Sequence, residues 1–419
     1  MCLSQISNAR VMLFARIAAG IAVFVAPFWA TAGVRGAMLL LAGVAILFVH
    51  IRNGQLKYLL PREKTLAVAV AIWLISASAW SLLGPTPMES LSVVKRDIFT
   101  SVLAFFVFYA LTRTREDAIR WVSILNAGLF ILTLMVILDP NNPRASGPAR
   151  EYVDVGWLSA WLVMVAPLMA VLMFPPRSQR RSAMILLIVG LACLLWSAWL
   201  SGNRMVWICF AATVAISAAI ASRDRTTGPD RKRFYFIVAG LFALIGLLMV
   251  ASMQFRAEAE APGGAGSVAF MLHDSRMQLW RVAWDMICER PFLGYGYSNP
   301  EFPEVFAAHF APGWRHLFRH AHNVVLNYML QMGVMGGAAI LFLFAALGRT
   351  FVKRVHAGGL SRVAGYCGIA LVVAVMLRNS TDDFFTRHGV QFFAAFAGML
   401  LGLATHRPPL SAGPTKAGG

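Results

Sequence analysis

The chain has 419 residues, 58% of them hydrophobic and only 13% charged, with a mean hydropathy of +0.66. One globule cannot bury that much apolar surface, which excludes the soluble single-core classes and leaves an all-α polytopic membrane protein. A net charge of +18 would suggest nucleic acid as a partner of a soluble protein, but no basic helix or aromatic platform stands apart from the apolar runs, so nucleic-acid binding is set aside.

In chain order, twelve apolar segments are centred near residues 22, 43, 74, 105, 128, 165, 192, 213, 243, 334, 370 and 397. The second and fourth are short. The first begins after Arg10, lacks a small-residue cleavage site and reads as a signal anchor rather than a signal peptide. With the N-terminus inside, 22 of the 37 basic residues fall on the cytoplasmic side, mostly in short loops. Both termini are then cytoplasmic. This predicts about 12 transmembrane helices: helices 1 to 9 within 1–253, a long periplasmic loop over 254–321, helices 10 to 12 within 322–406, and a short cytoplasmic tail at 407–419.

The long loop exceeds a connector in length and should carry structure of its own. After the flexible run AEAEAPGGAGS, the residues Met277, Trp280, Ala283, Trp284 and Ile287 recur at helical spacing, opposite Arg281, Asp285 and Glu289. This amphipathic helix should lie at the membrane interface and stop at Pro291. PFLGYGYSNP then turns the chain, and a second amphipathic piece is expected over 303–318. Of the five cysteines only Cys288 falls in this loop, so no intrachain disulfide is expected there, and no C-x-x-C pair suggests a metal.

The loop runs without a break into RHAHNVVLNYMLQMGVMGG, residues 319–337, which has the form H-N-x9-G-x-x-G from His322. On one uninterrupted helix, His322, Gly333 and Gly336 would share a stripe, with the glycines admitting a helix or lipid chain close to the backbone. Arginines interrupt apolar surroundings on the same predicted face: Arg204 in SAWLSGNRMVW, Arg276 at the start of the loop helix, Arg315 and Arg319 before His322, and Arg378 and Arg387 around NSTDD. Charges at such depth are costly, and a guanidinium fork fits a phosphate or diphosphate; the alternative is that these arginines snorkel to lipid phosphates or pair with Asp285, Asp382 and Asp383. Neighbouring arginines and a helix N-terminus disfavour an imidazolium at His322, leaving a neutral ring able to accept a proton. A lone histidine on an amphipathic helix is otherwise a structural residue. His316, His320 and His322 find no carboxylate at a suitable spacing, so no metal is expected. Walker, dinucleotide, G-x-S-x-G and D-x-D motifs are absent, which argues against nucleotide-driven transport and nucleotide-sugar chemistry.

The segment HNVVLNYMLQMGVMGG after a long loop resembles the signature of the bacterial O-antigen ligase and polymerase superfamily. The SGNR entry at Arg204, the stretch SRMQLWRVAWDMICERPFLGYGY and the NSTDDFF run before the last apolar segment agree with it. The resemblance implies an enzyme of the bacterial inner membrane whose site faces the periplasm. It takes a glycan from undecaprenyl diphosphate and, in the ligase branch, moves it to the lipid A core. The ligase is favoured here because the tail is short and one long loop is evident, although residues 139–155 are a candidate for the second loop that polymerases carry. The expected mechanism inverts the anomeric centre without metal, ATP or other cofactor. His322 serves as base, Arg204 with Arg276, Arg319, Arg315 or Arg378 holds the diphosphate, and Asn323 and Asp382 contribute to substrate binding. A twelve-helix polyprenyl-lipid or small-molecule transporter is the competing class, though such proteins show related halves with sites at mid-membrane.

Overall fold

The computed structural model describes residues 3–28, 31–56, 59, 61–138, 155–173, 179–201, 203–223, 231–260, 276–310, 312, 315 and 319–405. Among these residues all regular structure is helical. In order the helices are α1 (Leu3–Phe24), α2 (Ala32–Arg52), α3 (Lys64–Leu83), α4 (Pro87–Val94), α5 (Thr100–Leu111), α6 (Arg115–Leu138), α7 (Val155–Met169), α8 (Arg180–Ser201), α9 (Arg204–Arg223), α10 (Arg231–Glu260), α11 (Arg276–Glu289), α12 (Phe302–Ala307), α13 (Val324–Val355), α14 (Gly359–Asn379) and α15 (Arg387–Ala404). Each of the twelve predicted segment centres falls inside one of them.

Among the described residues six helices are long and apolar enough to cross a membrane: α2, α3, α6, α8, α13 and α14. Shorter apolar stretches occupy α7, α9 and α10. On α2 the exposed residues before Arg52 are themselves apolar, among them Leu40, Val44, Phe48 and Ile51. That is the pattern of a helix solvated by hydrocarbon, since a monomer in water rarely leaves so continuous an apolar face uncovered. The chain is a multi-pass membrane protein.

Two departures from regular helix position the interior. Pro167 lies inside α7, and the chain tightens to a 3-10 turn at Ala170–Met173, as expected where a proline removes a backbone donor. Between α4 and α5 a π-helical turn, Lys95–Phe99, turns Asp97 into the interior. There Asp97 accepts from Arg96 Nε at 2.9 Å and from the Arg387 amide at 3.0 Å, tying the start of α15 to α5. Small residues let these two helices touch: a Cβ on Gly398 would lie 2.3 Å from Phe105 O, and one on Gly402 2.5 Å from Thr112 O.

The long loop has its own small core. Leu279, Ala283, Met286 and Ile287 of α11 pack with Phe302, Phe306, Ala321 and Leu330. Of the apolar face expected on α11, Ala283 and Ile287 are buried and Trp280 is half-buried, while Met277 and Trp284 are exposed. The reason is tertiary: the helix packs on α12 and the start of α13. Of the second amphipathic piece, the described residues form a helix at Phe302–Ala307, and residues 311, 313–314 and 316–318 lie outside the described residues. His316, most of residues 139–155 and the tail 407–419 lie outside the described residues.

The expected uninterrupted stripe from His322 to Gly336 does not form. His322 precedes the helix, whose N-cap is Asn323, and α13 breaks at Met332 and Gly333, where φ is −132° and +64°. The segment Pro291–Ser298 fills the break. Tyr295 N donates to Leu330 O at 2.8 Å, Gly296 N to Gln331 O at 3.1 Å, and Val334 N to Pro291 O at 2.8 Å. A Cβ on Gly333 would meet Pro291 O at 2.4 Å, so the glycine admits a loop backbone and neither a helix nor a lipid chain.

Candidate functional site

The first eight residues of α13, Val324–Gln331, form a short half-helix whose entrance is held from several sides. Asn323 Oδ1 accepts from the amides of Val325 and Leu326 at 3.0 and 3.1 Å, satisfying donors at the helix start. Its Nδ2 donates to Ser380 O at 3.1 Å, which joins the cap to the α14–α15 turn. Asn323, expected to bind substrate, is thus committed to holding two loops together. Ala321 is fixed at both backbone groups: its carbonyl accepts from Trp280 Nε1 at 3.0 Å, and its amide donates to Asn327 Oδ1 at 2.8 Å. His322 lies between these anchors with φ +48°, a left-handed conformation that the surrounding bonds impose.

His322 Nδ1 lies 2.9 Å from Asp382 Oδ1. Burial alone would raise the Asp382 carboxyl, but the His322 bond and the Arg378 charge outweigh it and hold it at about 2. An ionised carboxylate can only accept, so Nδ1 carries the proton and the Nε2 lone pair is left for another partner. His320 stacks beside it, ring centroids 3.9 Å apart, and burial together with that neighbour lowers it to about 4, so it is uncharged at neutral pH.

Asp383, next in the chain, faces the other way. Burial pushes it up to about 6, against the bond it accepts from Asn327 Nδ2 at 2.6 Å and one from the Phe385 amide at 3.1 Å. Phe385 is packed between Phe344 and Phe393, centroids 5.0 and 5.4 Å away, which fixes the turn carrying both aspartates.

The arginines divide into two groups. Arg378 is 1% exposed: Nη2 and Nε donate to Ser159 Oγ at 2.9 and 3.3 Å, Nη2 lies 3.5 Å from Asp382 Oδ2, and the guanidinium sits 4.5 Å from the Phe384 ring. It is enclosed by protein and serves Asp382. Arg204 opens α9, which packs against α14, and is half-buried; Arg276 is also half-buried and close enough to Arg378 to act on it electrostatically. Farther out, exposed Arg319 pairs with Glu304, and exposed Arg315 donates to Phe310 O at 3.1 Å.

Of the residues expected to act together, the structure joins His322, Asn323, Asp382 and Arg378 directly and brings Arg276 near them, whereas Arg315 and Arg319 engage the loop. Asp383, Asn327, Trp280 and Ser159 did not stand out as site residues. Only Asp383 carried a signal, as the second acid of NSTDD. The sequence expectation about metal ligands needs correcting: Asp382, sixty positions after His322, joins His320 and His322, with one donor atom of each within 4.8 Å of the others. Three donors suffice to touch a cation, but Asp382 is already bonded to His322 Nδ1 and flanked by Arg378, which opposes a second positive charge.

No curated protein matches the chain. A family model described as O-antigen ligase matches residues 178–341, which run from the start of α8 through Arg204 and the long loop to just past the break in α13. The arginine at the α9 entry, the histidine before the half-helix and the glycine break all lie within that match. Over this stretch the chain is similar to the O-antigen ligase family.

Proposed function

We propose that this protein is an O-antigen ligase, transferring a glycan from undecaprenyl diphosphate to the lipid A core at the periplasmic face of the bacterial inner membrane. In this reading twelve helices span the bilayer with both termini cytoplasmic, and the loop before α13 lies outside. The observation that carries the chemistry is the His322–Asp382 pair, 2.9 Å apart. With Nδ1–H directed at an ionised carboxylate, Nε2 takes the proton of an acceptor hydroxyl, and Asp382 stabilises the imidazolium that results. The acceptor oxygen bonds to the anomeric carbon as the carbon–oxygen bond to the diphosphate breaks and its electron pair leaves with the diphosphate. Attack opposite the leaving group inverts the centre. Arg204 and Arg276 neutralise the departing charge, so neither metal nor nucleotide is required.

Purified protein mixed with polyprenyl-diphosphate-linked glycan and lipid A core, in the presence of a chelator, should form the conjugate with inversion. His322→Gln should lose at least about 100-fold in kcat. A wild-type rate in His322→Gln would sink the base assignment. In the host, deletion should leave long glycan on the polyprenyl carrier and none on lipid A. A single capped repeat on lipid A would indicate the polymerase instead, and a normal ladder would exclude both.

A further inference from the structure

Ser159 is a hydroxyl in the apolar run WLSAWLVMV, fully buried on α7. Its Oγ accepts Arg378 Nη2 at 2.9 Å and Nε at 3.3 Å, and Asn203 Nδ2 at 3.3 Å. Asn203 belongs to the entry of α9. Its Oδ1 accepts from the Met205 amide at 3.0 Å, and its own amide donates to Ser201 Oγ at 3.3 Å. One oxygen on α7 therefore meets both the residue preceding Arg204 and the guanidinium that lies against Asp382.

We infer that Ser159 is a positioning residue, keeping the Arg204 end of α9 in register with the His322–Asp382 pair by fixing Arg378 between them. Arg378 is enclosed, with the Phe384 ring on one side, Ser159 along its Nε–Nη2 edge and Asp382 at 3.5 Å. Buried guanidinium donors need acceptors. Deprived of Ser159, the fork has a stronger acceptor within reach, the Asp382 carboxylate. Drawn onto it, Arg378 would compete with the imidazolium for that charge and loosen the link to Asn203. Ser159, Arg378 and Asp382 all lie outside the stretch that the family model matches, so the proposed machinery would be set by helices that flank it.

This inference rests on the proposed ligase reading, and its test keeps the two apart. Ser159→Ala, Ser159→Thr and His322→Gln are compared with the unmodified protein in the transfer assay, with kcat, donor KM, the pH profile of kcat and thermal unfolding measured for each. Ser159→Ala should lower kcat about tenfold. It should also move the acid limb of the profile to lower pH, with donor KM within about twofold and little change in melting temperature. Ser159→Thr, which keeps the hydroxyl, should recover most of the rate. If His322→Gln is inactive while Ser159→Ala keeps an unchanged kcat and profile, the positioning role is wrong and the ligase reading stands. If Thr does no better than Ala, the hydroxyl is not what matters and the inference also fails. Full activity in His322→Gln overturns the base assignment and this inference with it.

Discussion

Asp382 and Asp383 are adjacent in the chain, yet their surroundings separate them. Asp382 gains a hydrogen bond from His322 and a guanidinium neighbour, and stays ionised with its carboxyl near 2; Asp383 loses water, accepts neutral donors and rises to about 6. One is therefore suited to stabilising an imidazolium at any working pH. In Asp382→Asn the oxygen facing Nδ1 can remain, but the negative charge is gone, and kcat should fall by about 100-fold with the fold retained, as checked by melting temperature and single-turnover rate. A fall below threefold would remove Asp382 from the mechanism. For Asp383 the expectation concerns stability. Its folded value lies above the ordinary 3.8, so the folded state holds this proton more tightly than the unfolded chain. The associated stability is fully present below about 3.8 and is lost as pH rises through about 6. Asp383→Asn, neutral throughout, should lack that decline. Melting temperatures of the two proteins, measured in detergent from about pH 4 to about pH 7.5, should separate as pH rises from about 4 to about 6 and run parallel above that, and curves parallel throughout would contradict the assignment.

At the scale of elements, the half-helix Val324–Gln331 depends on the break at Gly333. With φ +64° and a would-be Cβ 2.4 Å from Pro291 O, Gly333 suffers both a backbone and a steric penalty on substitution, and the neighbour that must move is backbone. Gly333→Ala should cost about 2 kcal/mol or more and reduce activity through His322. Gly337→Ala presses on the flexible Met329 side chain, with Val325 Cγ1 at an ordinary contact distance of 3.7 Å, and should cost under about 1 kcal/mol. Thermal unfolding of the pair tests this, with equal losses counting against the docked-loop account. The same region shows what could be read from the amino-acid order. Long apolar runs become helices wherever they occur, because the membrane demands internal backbone pairing, and α11 was visible in its periodicity. The glycine spacing was visible too, but its reason was not: the carbonyls of Leu330 and Gln331 are satisfied by amides 35 residues earlier, and no local pattern encodes so distant a partner. Asp382 was recognisable as an acid near arginines, whereas its bond to His322 depends on two loops brought together by the cap of Asn323.

Across the whole molecule, the proposed mechanism requires the loop carrying α11 and the mouth of α13 to face the compartment where the lipid-linked donor is presented. The protein carries a native reporter of that orientation. Cys288 is exposed on the last turn of α11, whereas Cys193, Cys209 and Cys367 are buried within α8, α9 and α14. A membrane-impermeant maleimide added to intact spheroplasts should therefore label Cys288 readily and the three buried thiols little, since a thiol must be reached by solvent to be alkylated as its thiolate. Cys288→Ser should abolish the external signal, which separates it from Cys2, the one remaining cysteine. Labelling that appears only after the membrane is permeabilised would put the loop in the cytoplasm. Because α13 follows that loop directly, His322 would then face away from a periplasmic donor, and the orientation inferred from the basic residues would have to be reversed together with the function built on it.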